Sequence, residues 1–159
     1  MSIRYTSDDI FAIGVEAIVN PVNCVGVSGA GLAKQFAQHY PENDRLYRQA
    51  CAEGHLRPGR GLITESGQQQ PRYIINFPTK RHWRGRSRIE DIRLGLRNLH
   101  RQLLIRGITS VALPALGAGL GGIDWKDVRA LIETELGTQT AIEIIVCVPQ
   151  KRKGAGNGN

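Results

Sequence analysis

Two glycine-rich stretches, Gly26-Val27-Ser28-Gly29-Ala30-Gly31 and Gly117-Ala118-Gly119-Leu120-Gly121-Gly122, limit what this chain can fold into more than any other feature. Each follows a short apolar run of strand character, Ala17-Ile18-Val19 and Ser110-Val111-Ala112-Leu113, and each leads into a segment with helical spacing. A strand, a tight glycine turn and a helix in succession aim backbone N–H groups at one point, where they receive an anion. Neither stretch is a P-loop, because Ile123-Asp124 stands where a Lys-Ser/Thr pair belongs. Nor does Gly29-x-Gly31 complete a dinucleotide fingerprint, since Lys34 occupies the place of the third glycine. Taken together, the two loops are suited to grip both sides of a diphosphate.

The intervening sequence alternates between the two periodicities. Leu32, Phe36 and Tyr40 give one apolar side to a helix over 31–40, closed by Pro41, and a second helix is expected over 43–52 with Leu46, Tyr47 and Ala50 inward. Leu62-Ile63 and Tyr73-Ile74-Ile75-Asn76-Phe77 read as adjacent strands, the latter bounded by Pro71 and Pro78. Ser87 and Glu90 form a capping-box pair ahead of Ile89, Ile92, Leu96, Leu99 and Leu103, and Gly107 stops that helix. Asp124 caps a further helix that carries Asp127 in its first turn and Val128, Leu131, Ile132 and Leu136 on one side. The run from Ala141 to Val148 reads as an interior strand covered on both faces. Alternating elements of this kind predict an α/β protein, a three-layer α/β/α sandwich around a central mixed sheet.

A chain of 159 residues makes about one domain. We expect it to cover residues 1–150, with a basic, glycine-rich tail over 151–159 that lacks core-forming residues. The net charge of +7 suits a polyanionic partner such as nucleic acid. Cys24, Cys51 and Cys147 have no metal-ligand spacing and cannot all pair, which fits a reducing cytoplasm. Neither a metal nor a membrane span is expected, because His39, His55, His82 and His100 form no ligand pattern and the apolar runs are short. No repeated apolar helix seam is present, so a monomer is expected.

Asp9-Ile10, the segment from Ala17 to Asn23, Gly29-Ala30-Gly31-Leu32-Ala33 and the segment from Leu113 to Gly122 together resemble the macro domain family, in order and over about residues 1–150. The resemblance implies binding of ADP-ribose with no further cofactor. Asp9, with Ile10 beside it, would take the adenine amino group, Asn23 would hold the distal ribose, and Asn20 would be a further ligand contact. The diphosphate would lie between Gly29, Gly31 and Leu32 on one loop and Gly117, Ala118, Gly119, Leu120 and Gly121 on the other. Independently, a carboxylate accepts from an exocyclic amine and an amide bonds a sugar hydroxyl. Asp9 as a helix cap and Asn20 or Asn23 as turn stabilisers are the plainer readings of the same residues.

The short Asn23-to-Gly29 loop is similar to that of the branch that removes ADP-ribose with a lysine. Asn76-Phe77-Pro78-Thr79-Lys80-Arg81-His82-Trp83-Arg84 looks like the bacterial antitoxins of that branch that release ADP-ribose from thymine in DNA. By this resemblance Lys80 is catalytic, beside Thr79 at the distal ribose. A lysine there acts as nucleophile or base if its pKa is lowered, and otherwise as a cation facing the leaving base. A human member of the branch has an acid after the Leu of its second loop, where this chain has Gly121. Asp124, three residues later, reads as a helix cap and inherits no acidic role.

Arg81, His82, Trp83, Arg84, Arg86 and Arg88 then make a basic rim with one aromatic residue, suited to DNA phosphates and a stacked base. The implied partners are ADP-ribosylated single-stranded DNA and the matching DNA ADP-ribosyltransferase toxin. A non-catalytic ADP-ribose-binding module would share Asp9 and the loops and lose no rate when Lys80 is replaced, and a deacylase of ester-linked or O-acetyl-ADP-ribose would have little need of Arg81, Arg84, Arg86 or Arg88.

Overall fold

The computed structural model describes residues 3–138 and 141–149, so the tail expected over 151–159 lies outside the described residues. The order of elements is β1 (Ile3–Thr6), a 3₁₀ turn (Ile10–Ala12), β2 (Ala17–Asn23), α1 (Gly31–His39), α2 (Pro41–Ala52), β3 (Leu62–Glu65), β4 (Tyr73–Lys80), α3 (Ile89–Ile105), β5 (Ser110–Pro114), α4 (Trp125–Leu136) and β6 (Glu143–Cys147). The strands form one six-stranded sheet ordered β1-β6-β5-β2-β4-β3, parallel throughout except for β3, which runs antiparallel to β4. No helix of the described residues is long and apolar enough to cross a membrane.

The period of two along each strand decides which helix meets which side chain. Ala17, Val19, Tyr73, Ile75, Phe77, Val111, Leu113, Ile144 and Val146 point to one face, where α3 and α4 supply Ile92, Leu96, Leu99, Leu103, Val128, Leu131, Ile132 and Leu136. The alternate residues Ile18, Ile74, Ala112 and Ile145 pack on Phe36 of α1, and Val22 packs on Tyr47 and Ala50 of α2. A sheet buried on both faces and covered by helices is the sandwich expected from the sequence.

Several boundaries differ from expectation for physical reasons. Pro41 both ends α1 and opens α2, which starts two residues before Asn43. Proline's missing N–H costs nothing at the first helical position, and it forces Tyr40 out of the helical region at φ −134°, ψ 71°. β4 does not stop before Pro78 but continues to Lys80. The Pro78 ring faces Gly61, just past the point where β3 begins to pair, so no ladder hydrogen bond is lost. Ser87 does not cap α3: Arg88 is the N-cap residue, without a side-chain cap, and the buried Ser87 Oγ has no hydrogen-bond partner among the described residues. Asp124 caps α4 as expected, accepting from the Lys126 N–H at 3.0 Å. The short edge strand β1 and the 3₁₀ turn had no clear periodicity to announce them.

Candidate functional site

All five parallel strands lead out toward one cleft of about 680 Å³ at their carboxyl ends. Its walls include Asp9 and Ile10 on one side, Gly29, Gly31 and Leu32 on the first loop, and Gly117, Gly119, Leu120 and Gly121 on the second, with Asn23, Thr79, Lys80 and Trp83 completing it. Residues as distant in sequence as Asp9 and Cys147 meet here because the parallel strands end side by side. Cys147, Val148, Ser7 and Asp8 also line the cleft, and no sequence signal set them apart.

The second loop spends some of its amides on itself. Ala118 donates to Ala115 O, Gly122 to Gly119 O and Ile123 to Gly117 O, at 2.9–3.2 Å. The N–H groups of Gly117, Gly119, Leu120 and Gly121 meet no acceptor among the described residues, and all four residues line the cleft. Ala118 stands outside the lining and packs toward the α3/α4 core. Gly121 admits no side chain: a Cβ there would lie 2.3 Å from Ser87 Oγ and 2.5 Å from Gly117 O. This close approach accounts for glycine at the place where the resemblance led one to look for an acid.

Opposite, Gly31 opens α1 with φ +59°, a conformation glycine adopts without strain. Ala30, the N-cap residue, provides no side-chain cap, so the first-turn amides of α1 stay open to an anion. The loops approach one another across the cleft: Leu120 Cδ1 lies 3.1 Å from where a Gly31 Cβ would be.

Asn23 and Lys80 are partners across β2 and β4, after a bulge that shifts the register between Val22 and Asn23. The Asn23 Oδ1 accepts from the Val25 N–H at 3.1 Å, the Val27 N–H at 3.3 Å and the Tyr47 hydroxyl at 2.8 Å, while Nδ2 donates to Val27 O at 2.8 Å. The carboxamide oxygen is therefore turned inward, and the amide retains one N–H for the cleft. Ser28 Oγ donates to Asp44 at 2.8 Å, so α2 fastens the loop at both ends. Tyr47 read as core from its helical spacing. Neither its partner nor that of Asp44 was visible in the sequence, because both contacts cross between elements.

Asn20 lies elsewhere. Its side chain points to the α1/α2 face and donates to Asn76 Oδ1 at 3.0 Å, within a buried set that joins Asn43 and Thr64. Asp9 accepts from the Phe11 N–H at 3.0 Å as cap of the 3₁₀ turn and also lines the cleft. Thr79 is buried and donates to Val22 O at 3.4 Å.

Lys80 is half-buried in the cleft wall and makes no ion pair among the described residues. After it, Arg81 forms a two-pronged pair with the buried Asp91 at 3.0 and 3.1 Å, which ties the strand end to the first turn of α3 and commits that guanidinium. Trp83 stays 45% exposed at the mouth, stacked on His82 at 5.6 Å with Arg84 over its ring at 4.6 Å. Arg86 and Arg88 are exposed and outside any ion pair among the described residues. Burial pushes the half-buried Cys24 thiol up to about 11, with Cys51 and Asp91 adding to the rise, so Cys24 is no nucleophile near neutral pH. Among the described residues no cluster of three or more His, Cys, Asp or Glu is arranged to hold a metal.

Comparison with known proteins gives this architecture a family. The macro domain family model matches residues 19–132. A Mycobacterium tuberculosis protein named DNA ADP-ribosyl glycohydrolase is 41% identical over 148 residues, covering 92% of this chain and 42% of the relative. The chain thus spans about two-fifths of the length of such curated relatives. Among solved structures, the macrodomain of Mycobacterium tuberculosis DarG superposes with a TM-score of 0.90 at 41% identity, covering 94% of this chain and 98% of that one. Thermosipho africanus DarTG in complex with ADP-ribose superposes with a TM-score of 0.88 at 31% identity, covering 94% of this chain and 42% of that one. On the family match, these relatives and the two open glycine loops, the chain belongs to the macro domain family.

Proposed function

We propose that the protein is a glycohydrolase that releases ADP-ribose from thymine in single-stranded DNA, binding the ADP-ribose in the cleft and leaving the DNA strand at its mouth. The observation that carries this reading is the position of Lys80: it is next to Asn23 in the sheet, lines the same cleft as both glycine loops and is followed in that lining by Trp83. Asp9 takes the adenine amine, the open amides of the two loops take the diphosphate, and the remaining N–H of Asn23 meets the distal ribose. That order brings the anomeric carbon to Lys80.

The bond that breaks joins the anomeric carbon to a ring nitrogen of the base. Water supplies the hydroxyl that replaces it, and the water's other proton goes to the base. Charge moves onto the leaving base as the bond stretches, and the lysine ammonium opposes that charge with its field and its N–H donors. Trp83 offers a face on which a neighbouring base stacks, and Arg84, Arg86 and Arg88 meet phosphates. The names borne by the relatives support DNA as the carrier. The substrate must then come from an enzyme class that attaches ADP-ribose to DNA, which supports a DNA ADP-ribosyltransferase toxin as the functional partner.

The test is release of ADP-ribose from a thymine-linked ADP-ribosyl oligonucleotide by the parent and by Lys80→Ala, with ADP-ribose binding followed by calorimetry. Release by the parent, reduced at least about 100-fold in the variant at retained affinity, is expected of a positioned catalytic group. Binding without release by either protein would instead leave a recognition module.

A further inference from the structure

The tight turn ahead of β3 holds two arginines that no role has yet absorbed. Arg57-Pro58-Gly59-Arg60 closes on itself, with the Arg60 N–H donating to Arg57 O at 2.8 Å and the Arg57 N–H donating to Arg60 O at 3.1 Å. Pro58 and Gly59, the latter at φ +82°, are the residues a type II turn requires at its centre. The turn is also wedged in place, since a Gly59 Cβ would sit 3.1 Å from Leu94 Cβ on α3.

Residues directly opposite in an antiparallel bridge project their side chains to the same face, about 5 Å apart at Cβ. Arg57 and Arg60 are therefore held side by side. Both are exposed, and neither joins an ion pair among the described residues. Like charges facing one another across a bridge destabilise it unless an anion lies between them. The turn's place in the fold indicates which anion. β3 pairs Leu62 with Asn76, so the residues before Leu62 continue past Phe77 and Pro78 toward the Lys80 end of β4. The backbone of the turn thus runs on the β4 side of the cleft, one strand spacing of about 5 Å beyond β4, whose end residues Thr79 and Lys80 line the cleft. The opposite rim carries the carboxylates of Asp8 and Asp9.

We propose that Arg57 and Arg60 form a preorganised clamp for a phosphodiester of the DNA strand flanking the modified base, directing that strand over the β4–β3 side of the cleft and away from Asp8 and Asp9. The proposal rests on the DNA reading given above. A phosphate between two guanidiniums relieves their repulsion and accepts N–H donors from both. The stiff turn keeps the ordering cost of the clamp low.

The experiment compares the parent with the Arg57→Gln/Arg60→Gln double variant on two substrates: an oligonucleotide extending on both sides of an ADP-ribosylated thymine, and ADP-ribosyl thymidine without flanking phosphates. On the oligonucleotide the variant's KM is expected to rise about ten-fold, and the log–log salt dependence to become shallower by about 0.7, the share of one single-strand phosphate. On the nucleoside, and for ADP-ribose affinity by calorimetry, the two proteins are expected to agree. Equal KM and salt slope on an oligonucleotide that both proteins cleave would overturn the clamp alone. Loss of ADP-ribose affinity in the variant would overturn it too, assigning the arginines to the ligand's own diphosphate. An oligonucleotide that the parent neither binds nor cleaves would overturn the DNA reading and the clamp with it.

Discussion

The Tyr47 hydroxyl lies 2.8 Å from both the main-chain and the side-chain oxygen of Asn23, and burial raises its pKa, so it remains a donor across the working pH range. Tyr47→Phe keeps the packed ring and removes the one O–H donor that the two Asn23 oxygens share. The Asn23 Oδ1 retains two backbone donors, so the stability loss is expected to be about 1–2 kcal/mol in denaturant unfolding. ADP-ribose affinity is expected to fall about 3- to 10-fold as the carboxamide loses its fixed orientation. In an Asn23→Ala background the same substitution should leave affinity unchanged, and calorimetry on the four proteins of that cycle tests this. Asp9, Asn23, Lys80 and the loop glycines all line the cleft: the glycines were legible from their places after strands, whereas Asp9, Asn23 and Lys80 were picked out by the family resemblance, since their types alone fit a cap, a turn and a solvated cation as well. Tyr47 and Asp44 were not, because their partners lie 24 and 16 residues away on another element. Asn20 shows the converse: its type fits a ligand contact, while its position in β2 turns it to the face beneath α2.

At the scale of elements, the long apolar repeats located α3 and α4 well, since spacings of three and four survive any tertiary context that buries one helical side. Gly95 within α3 reads from the sequence as a weak point, about 1 kcal/mol worse than alanine in a helix interior. The packing reverses this reading. A Cβ at Gly95 would lie 2.2–2.9 Å from carbons of the Phe77 ring, itself 3% exposed, so alanine would push α3 off β4. Gly95→Ala is therefore expected to lower stability by about 2 kcal/mol despite the gain in helix propensity, because overpacking costs up to about 3 kcal/mol. A raised melting temperature would refute this. The start of α3 and the length of β4 were misjudged for one reason: local rules read Ser87 as a cap and Pro78 as a stop, whereas the second loop buries Ser87 and Gly61 accommodates Pro78.

For the molecule as a whole, the thiols make a pH dependence predictable. Burial raises Cys24 and Cys147 from about 9 to about 11, with neighbouring Cys51 and Asp91 adding to the first and Asp8 and Asp9 to the second. The unfolded chain then releases these protons near pH 9 while the folded chain keeps them until about pH 11, so the folded state binds more protons in that window. Their contribution is fully present below about pH 9 and is lost as pH rises toward 11. Denaturation midpoints should fall over that window, and less steeply in a Cys24→Ser/Cys147→Ser variant.

Taken by itself, the sequence determined the α/β class, the two loops, most helices and the residue types at the cleft, because periodicity and turn chemistry are local. The tertiary structure alone decided that Lys80 stands beside Asn23, that Arg81 is committed to Asp91, and that the Arg57–Arg60 turn packs against Leu94 of α3. Each of these depends on strand order and register, which are set by packing between residues far apart in the chain.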